Sequence, residues 1–170
     1  KPAVERSRSG RVALLVTPTT AEGERLARLH NAYAGDSRVL TIALPGLADL
    51  VENGEVVGTQ VETLLREALS GLVEQGVDQL ALGCTHYGFL HLALKSVLGS
   101  VVELVDPAKP VARRVLQQLD EYGVIIPPAS DGVVQCVVSG DPVAFETSVE
   151  RLRAAGAKLP PFRLVRQPAA

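Results

Sequence analysis

Short aliphatic runs alternate with amphipathic segments along most of this chain, and that rhythm leaves few folds open. The first run is Arg11-Val12-Ala13-Leu14-Leu15-Val16-Thr17, followed by Pro18-Thr19-Thr20. Residues 38–44 form a second, closed by Pro45-Gly46, and residues 77–82 a third that runs into Gly83-Cys84-Thr85-His86. A fourth, residues 101–105, ends in Asp106-Pro107. Runs of this length and continuity read as strands buried on both faces of a parallel sheet. Between the first two, Thr20-Ala21-Glu22-Gly23-Glu24 offers a cap and an acidic first turn for a helix reaching about Ala34. Residues 47–53 suit a short helix. From 59 to 74, Val61, Leu64, Leu65, Ala68, Leu69 and Leu72 recur at helical spacing until Gly76. Residues 91–98 continue a helix begun after the cysteine, and Gly99 ends it. Strand and helix alternating over short links predict an α/β fold, a doubly wound parallel sheet with right-handed crossovers.

Past Pro110 a helix is expected over 111–122, and then the rhythm breaks in the loop Pro127-Pro128-Ala129-Ser130-Asp131-Gly132. A strand over 133–138, the turn Ser139-Gly140-Asp141-Pro142 and a helix from 142 to about 155 follow. The chain thus divides into one complete lobe (1–107), a segment of a second (108–158) and an extended tail (159–170). Its 170 residues suffice for one domain, or a domain plus part of another. No methionine occurs and the chain opens Lys1-Pro2, so residue 1 is expected to lie within a longer protein.

Composition removes several functions. The net charge is −2 with Lys and Arg scattered, which argues against a nucleic-acid binder. No apolar run approaches the roughly 20 residues of a membrane span, and residues 1–11 lack the hydrophobic stretch of a leader. Two cysteines do not make a disulfide scaffold, so a reducing, cytoplasmic setting is the default.

The chemistry gathers at Cys84. A thiol at the carboxyl end of a parallel strand, ahead of a helix start, lies where open α/β sheets bind ligands. The helix start would favour the thiolate. A buried cysteine is also an ordinary small hydrophobe, and both readings stand at this point. His86, two residues on, can poise that thiol or serve as a structural histidine. Thr17, Thr19 and Thr20 are either a helix cap with its turn or hydroxyls that hold a carboxylate in the same layer as Cys84. Glu52 is a solvated helix-end charge or a partner for the site. Cys136, mid-strand with no histidine near it, reads as packing, and His30 and His91 as surface residues. No cysteine–histidine spacing fits a metal, and no glycine pattern fits a nucleotide fingerprint.

Leu82-Gly83-Cys84-Thr85-His86-Tyr87 resembles the second-cysteine motif of glutamate racemases, within the aspartate/glutamate racemase superfamily. Relatives acting on aspartate or hydantoins typically carry an acidic residue where His86 stands. The segment 10–20 resembles the family's first strand and threonine loop, and Leu50-Val51-Glu52-Asn53-Gly54 its Leu-Val-Glu-x-Gly segment. Leu104-Val105-Asp106 and Val138-Ser139-Gly140-Asp141-Pro142 resemble later landmarks in the right order. Departures are Gly88 in place of the usual proline, Thr19 in place of glycine, and Leu44-Pro45 in place of Cys-Pro.

The resemblance implies a cofactor-independent enzyme that interconverts L- and D-glutamate for peptidoglycan synthesis, using one thiol on each face of the α-carbon. It implies Cys84 as one of those thiols and His86 and Glu52 as its helpers. Thr85 with Thr17, Thr19 and Thr20 would hold the substrate. The family's first cysteine lies on an N-terminal lobe whose Asp-Ser-Gly and Ala-Cys-Asn-Thr segments are absent here. The chain is therefore expected to be a C-terminal fragment, inactive alone, whose partners are the glutamate substrate, the missing lobe or a second copy of itself. No nucleic acid, membrane or metal is expected. The alternatives are another superfamily racemase, acting on aspartate or hydantoins, and a non-catalytic binding domain of the same fold.

Overall fold

Residues 1–124 and 133–165 are described in a computed structural model. In chain order they form α1 (Pro2–Arg6), β1 (Arg11–Val16), α2 (Pro18–Ala21), α3 (Glu24–Tyr33), β2 (Arg38–Ala43), α4 (Leu47–Glu52), α5 (Thr59–Leu69) and β3 (Gln79–Leu82). A 3₁₀ segment (Thr85–Leu90), α6 (His91–Leu98), β4 (Glu103–Val105), α7 (Ala108–Glu121), β5 (Val134–Val137), α8 (Pro142–Ala154) and β6 (Phe162–Val165) follow.

The first four strands make one parallel sheet in the order β2-β1-β3-β4. Alternation along each strand divides its two faces. Ala13 and Leu15 of β1 share a face with their register partners Leu80 and Leu82 of β3, and all four are buried. That face carries the main core, closed by Leu47 and Val51 of α4, Val61 and Leu65 of α5, and Leu94 of α6. The opposite face is thinner, with Ala3 of α1 packing on Val12 and Val105. An apolar cavity of about 220 Å³ remains between α1, α3 and the sheet. Helices thus cover both faces, as a doubly wound sheet requires.

Several local expectations change. Gly23 divides the first helix, capping α3 separately from the single turn of α2. The 59–74 helix stops at Leu69, where Ser70 is extended and Gly71 has φ +77°, although Leu72 still reaches the core. The short α1 adds to the expected elements. His30 is half-buried rather than on the surface, and its Nε2 is sealed without a partner among the described residues. Phe162–Val165, within the expected tail, is a strand paired in parallel with β5. The proline-rich loop 127–132 and residues 166–170 lie outside the described residues.

The C-terminal segment is built differently. No residue of α7 is buried, and Val111, Val115 and Leu116 are each more than half exposed. β5 pairs only with β6, away from the main sheet. α8 reaches the body, burying Val149 and Leu152 and packing on α4, and Ala157 and Leu159 just after it also touch the main core.

Candidate active site

All four strands of the main sheet end at one edge, because they run parallel. From β1 the chain crosses to β2 on one side, and from β3 to β4 on the other. The carboxyl ends of β1 and β3 therefore flank the point where the winding reverses, the place where open α/β sheets bind ligands. Thr17 follows β1 and Cys84 follows β3, so the sheet's topology brings both candidate loops to this crevice.

Gly83 makes the convergence possible. Its N–H donates to the Leu15 carbonyl at 2.8 Å, carrying the β1–β3 ladder one residue beyond Leu82. A Cβ at this position would lie 2.6 Å from Val16 Cγ1 and 3.1 Å from the Leu15 oxygen. Only a residue without a side chain lets the strand ends approach this closely.

Cys84 then caps the 3₁₀ segment, whose first turn closes through the Tyr87 N–H and the Cys84 carbonyl at 3.2 Å. The sequence pattern predicts an α-helix starting directly after the cysteine, but α6 begins only at His91. The reason is packing. Residues i and i+3 eclipse in a 3₁₀ helix, so Tyr87 and Leu90 both point into the core and both are fully buried. A helix end acts mainly within its own first turn, so α6 lends Cys84 little. The group that lies close to the sulfur is the His86 imidazole.

His86 bridges two groups. Its Nδ1 lies 3.6 Å from Cys84 Sγ, and its Nε2 lies 2.9 Å from Glu52 Oε1 at the end of α4. An ionised carboxylate only accepts hydrogen bonds, so Nε2 donates to Glu52, and in the neutral imidazole Nδ1 is left as the acceptor facing sulfur. In that tautomer the imidazole can take the thiol proton, and Glu52 stabilises the resulting imidazolium. The His86 and Glu52 side chains are 33% and 58% exposed, so Glu52 contributes on the order of 0–1 kcal/mol.

Tyr87 is the neighbour that sequence reasoning passed over. Its ring is fully buried and its hydroxyl has no hydrogen-bond partner among the described residues. Burial first, and the charge of Cys84 second, push its phenol up to about 12. It adds a neutral, buried phenol to the surroundings of Cys84.

The threonine loop is built as a cap. Thr17 Oγ1 accepts from the Thr20 N–H at 3.4 Å and lies 2.9 Å from Thr20 Oγ1, while Thr19 is exposed. Thr85 is also exposed. It lines, with Glu52, His86 and Phe89, a cavity of about 350 Å³ whose far wall is α8, through residues such as Phe145 and Ser148. Cys84, His86 and Glu52 are thus joined by direct contacts. The threonine loop joins them by sheet register rather than by hydrogen bond. No group of three or more His, Cys, Asp or Glu side chains among the described residues is arranged to hold a metal, and no described helix is long and apolar enough to cross a membrane.

Fold and site together define a doubly wound α/β lobe presenting an imidazole-linked thiol at its switch point. No protein-family model matches the chain. A glutamate racemase from Herpetosiphon aurantiacus is 37% identical over 145 residues, covering 85% of this chain and 57% of its own. One from a Roseiflexus species is 35% identical over 153 residues, covering 89% and 56%. The solved structure of the Francisella tularensis glutamate racemase, in complex with D-glutamate, matches with a TM-score of 0.78 at 20% identity, over 99% of this chain and 60% of that one. By sequence the chain belongs to the glutamate racemase family, and it matches the C-terminal portion of its members. It spans a little over half the length of those relatives.

Proposed function

We propose that this chain is the C-terminal lobe of a glutamate racemase and supplies one of two opposed thiols. The observation that carries this reading is the line Cys84–His86–Glu52 at the switch point of the sheet.

The chemistry explains the demand for two thiols. An α-C–H is a very weak acid, and a single base on one face returns the proton to the side it left. With opposed thiols, a thiolate on one face removes the α-proton and becomes a thiol. A thiol on the other face then donates its own proton to the carbanion and becomes a thiolate. Configuration inverts, and the protons balance without a cofactor. A free cysteine is only a few per cent thiolate near neutral pH. The imidazole at 3.6 Å supplies the missing basicity for Cys84. Thr85 and the Thr17, Thr19 and Thr20 loop hold the carboxylates and amine in register, which such a transfer needs.

In this reading a second lobe provides the opposite thiol, and residues 108–158 return to pack on it. The exposed apolar face of α7 supports that role. The isolated chain does not racemise glutamate. The product serves peptidoglycan synthesis in the cytoplasm.

The test is Cys84→Ser in the full-length protein. Racemase activity falls by about 10²–10⁴-fold, the worth of a positioned acid–base group, while circular dichroism stays unchanged. Near wild-type turnover overturns the site. A panel that includes aspartate and hydantoins tests the substrate, and preference for either rejects glutamate.

A further inference from the structure

The Cys84–His86–Glu52 line depends on where Glu52 sits, and Glu52 is the last residue of a six-residue helix. Left to itself, such an end frays, yet this one is closed twice. The first closure is within the loop. Gly54 N–H donates to the Val51 carbonyl and Glu55 N–H to the Leu50 carbonyl, both at 2.9 Å, with Gly54 at φ +81°. This is a complete left-handed helix stop. The second closure comes from almost a hundred residues away. A Cβ on Gly54 would lie 2.8 Å from Arg151 Cβ and 3.2 Å from the Arg151 carbonyl carbon and oxygen, so α8 rests directly on this turn. From there Arg151 Nη1 donates to Asn53 Oδ1 at 3.0 Å. Val149 and Leu152 on either side of Arg151 are the buried residues of α8.

We propose that Arg151 of α8, seated on Gly54 and bonded to Asn53, is a positioning residue that holds Glu52 against His86 and so tunes the reactivity of Cys84. This rests on the reading of Cys84 as the reacting thiol assisted by His86. Arg151 makes no hydrogen bond to the sulfur or the imidazole. It acts through the α4 terminus alone, and its cation also lies at the negative end of that helix, where it is favourable. α8 thereby becomes both a wall of the cavity beside His86 and the brace for the carboxylate.

The test measures alkylation of the full-length protein by iodoacetamide, read peptide by peptide by mass spectrometry. Cys84 reports the line from Glu52, and Cys136 on β5 is the internal control. Arg151→Ala slows Cys84 alkylation by roughly 2–5-fold, bounded by what the exposed Glu52–His86 pair is worth, and leaves Cys136 unchanged. In a Glu52→Gln background the same substitution adds nothing, because the group it positions is already gone. Gly54→Ala forces α8 off the turn and slows Cys84 at least as much. If Gly54→Ala does not fold, the Arg151 pair alone decides. Cys84 alkylation that is unchanged or faster in Arg151→Ala overturns the proposal, as does an equal loss with and without Glu52. The readout is independent of turnover. A protein that fails to racemise glutamate yet shows this coupling rejects the function and keeps the brace.

Discussion

The sheet lobe and the C-terminal segment obey different rules of burial. Residues 1–107 form a sheet with helices on both faces and supply nearly every core residue. The described residues of 108–165 supply only Val149 and Leu152. Yet α7 is no less amphipathic than the helices of the lobe. Its Val111, Val115 and Leu116 form an apolar stripe that nothing described covers. An amphipathic helix draws its stability from the partner on its apolar face; the helices of the lobe have such partners, and α7 has none among the described residues. The site is placed accordingly. Its thiol, imidazole and carboxylate stand on the self-sufficient lobe, and the segment reaches them only through α8.

Core truncation tests that contrast with the largest expected effect. Leu80→Ala, in the fully buried centre of β3, should cost about 2–5 kcal/mol in denaturant melts of the 170-residue chain. Leu116→Ala on α7 should stay within about 0.5 kcal/mol there, and rise to a core-like cost in the full-length protein. Equal costs for both in the isolated chain would erase the distinction.

Gly83→Ala comes next. The clash with Val16 Cγ1 at 2.6 Å should cost about 1–3 kcal/mol and reorient the Cys84 loop, seen as altered thiol reactivity. An unchanged melt and an unchanged thiol would show that the strand ends are not held together there.

Tyr87→Phe should stabilise the lobe by about 1 kcal/mol, since it removes a buried hydroxyl without a partner. The pH dependence carries the sign. The phenol is raised from 10.0 to about 12, so its contribution is whole below pH 10.0 and is lost as pH rises towards 12. Melts between these values should fall for the wild type and fall less for the Tyr87→Phe variant.

The smallest effect is at Asp78, at the opposite edge of the sheet from the site. Burial pushes its carboxyl up, but Ser7 Oγ at 2.6 Å and the Arg8 and Ser9 N–H groups at 2.6 and 3.0 Å outweigh it. The net position is below 3.8. That contribution is present above pH 3.8 and is lost as pH falls through the folded value. Asp78→Asn should therefore lower stability at pH 6 and make little difference near pH 2.

Sequence pattern reveals the lobe because burial on both faces writes continuous aliphatic runs, as in Ala13-Leu14-Leu15-Val16. Cys84 and His86 are legible because two residues of separation at a strand end already put them close. Glu52 could be singled out by its place after the second strand, but its 2.9 Å bond to His86 spans 34 residues and belongs to the tertiary fold. α8 escapes as part of the site for a related reason. With two buried residues it writes almost no pattern, and its contact with Asn53 crosses 98 residues. The 3₁₀ segment escapes because Tyr87 and Leu90 are three apart, a spacing an α-helix also uses. β6 escapes because Pro160-Pro161 reads as a terminus, though Phe162 to Val165 alternate in burial as a strand does.

The central claim is that Cys84 moves the α-proton on one face of the substrate and a thiol of a second lobe moves it on the other. Deuterium exchange by the full-length protein tests it most directly. Because the two enantiomers have equal free energy in water, kcat/KM falls equally in both directions whatever is mutated, so turnover alone does not separate the faces. In D₂O the wild type should carry solvent deuterium into the inverted product from either enantiomer. Cys84→Ser should stop inversion yet still wash deuterium into one enantiomer, through the remaining thiol, and leave the other untouched. Continued inversion, or equal exchange into both enantiomers, would contradict the assignment of Cys84.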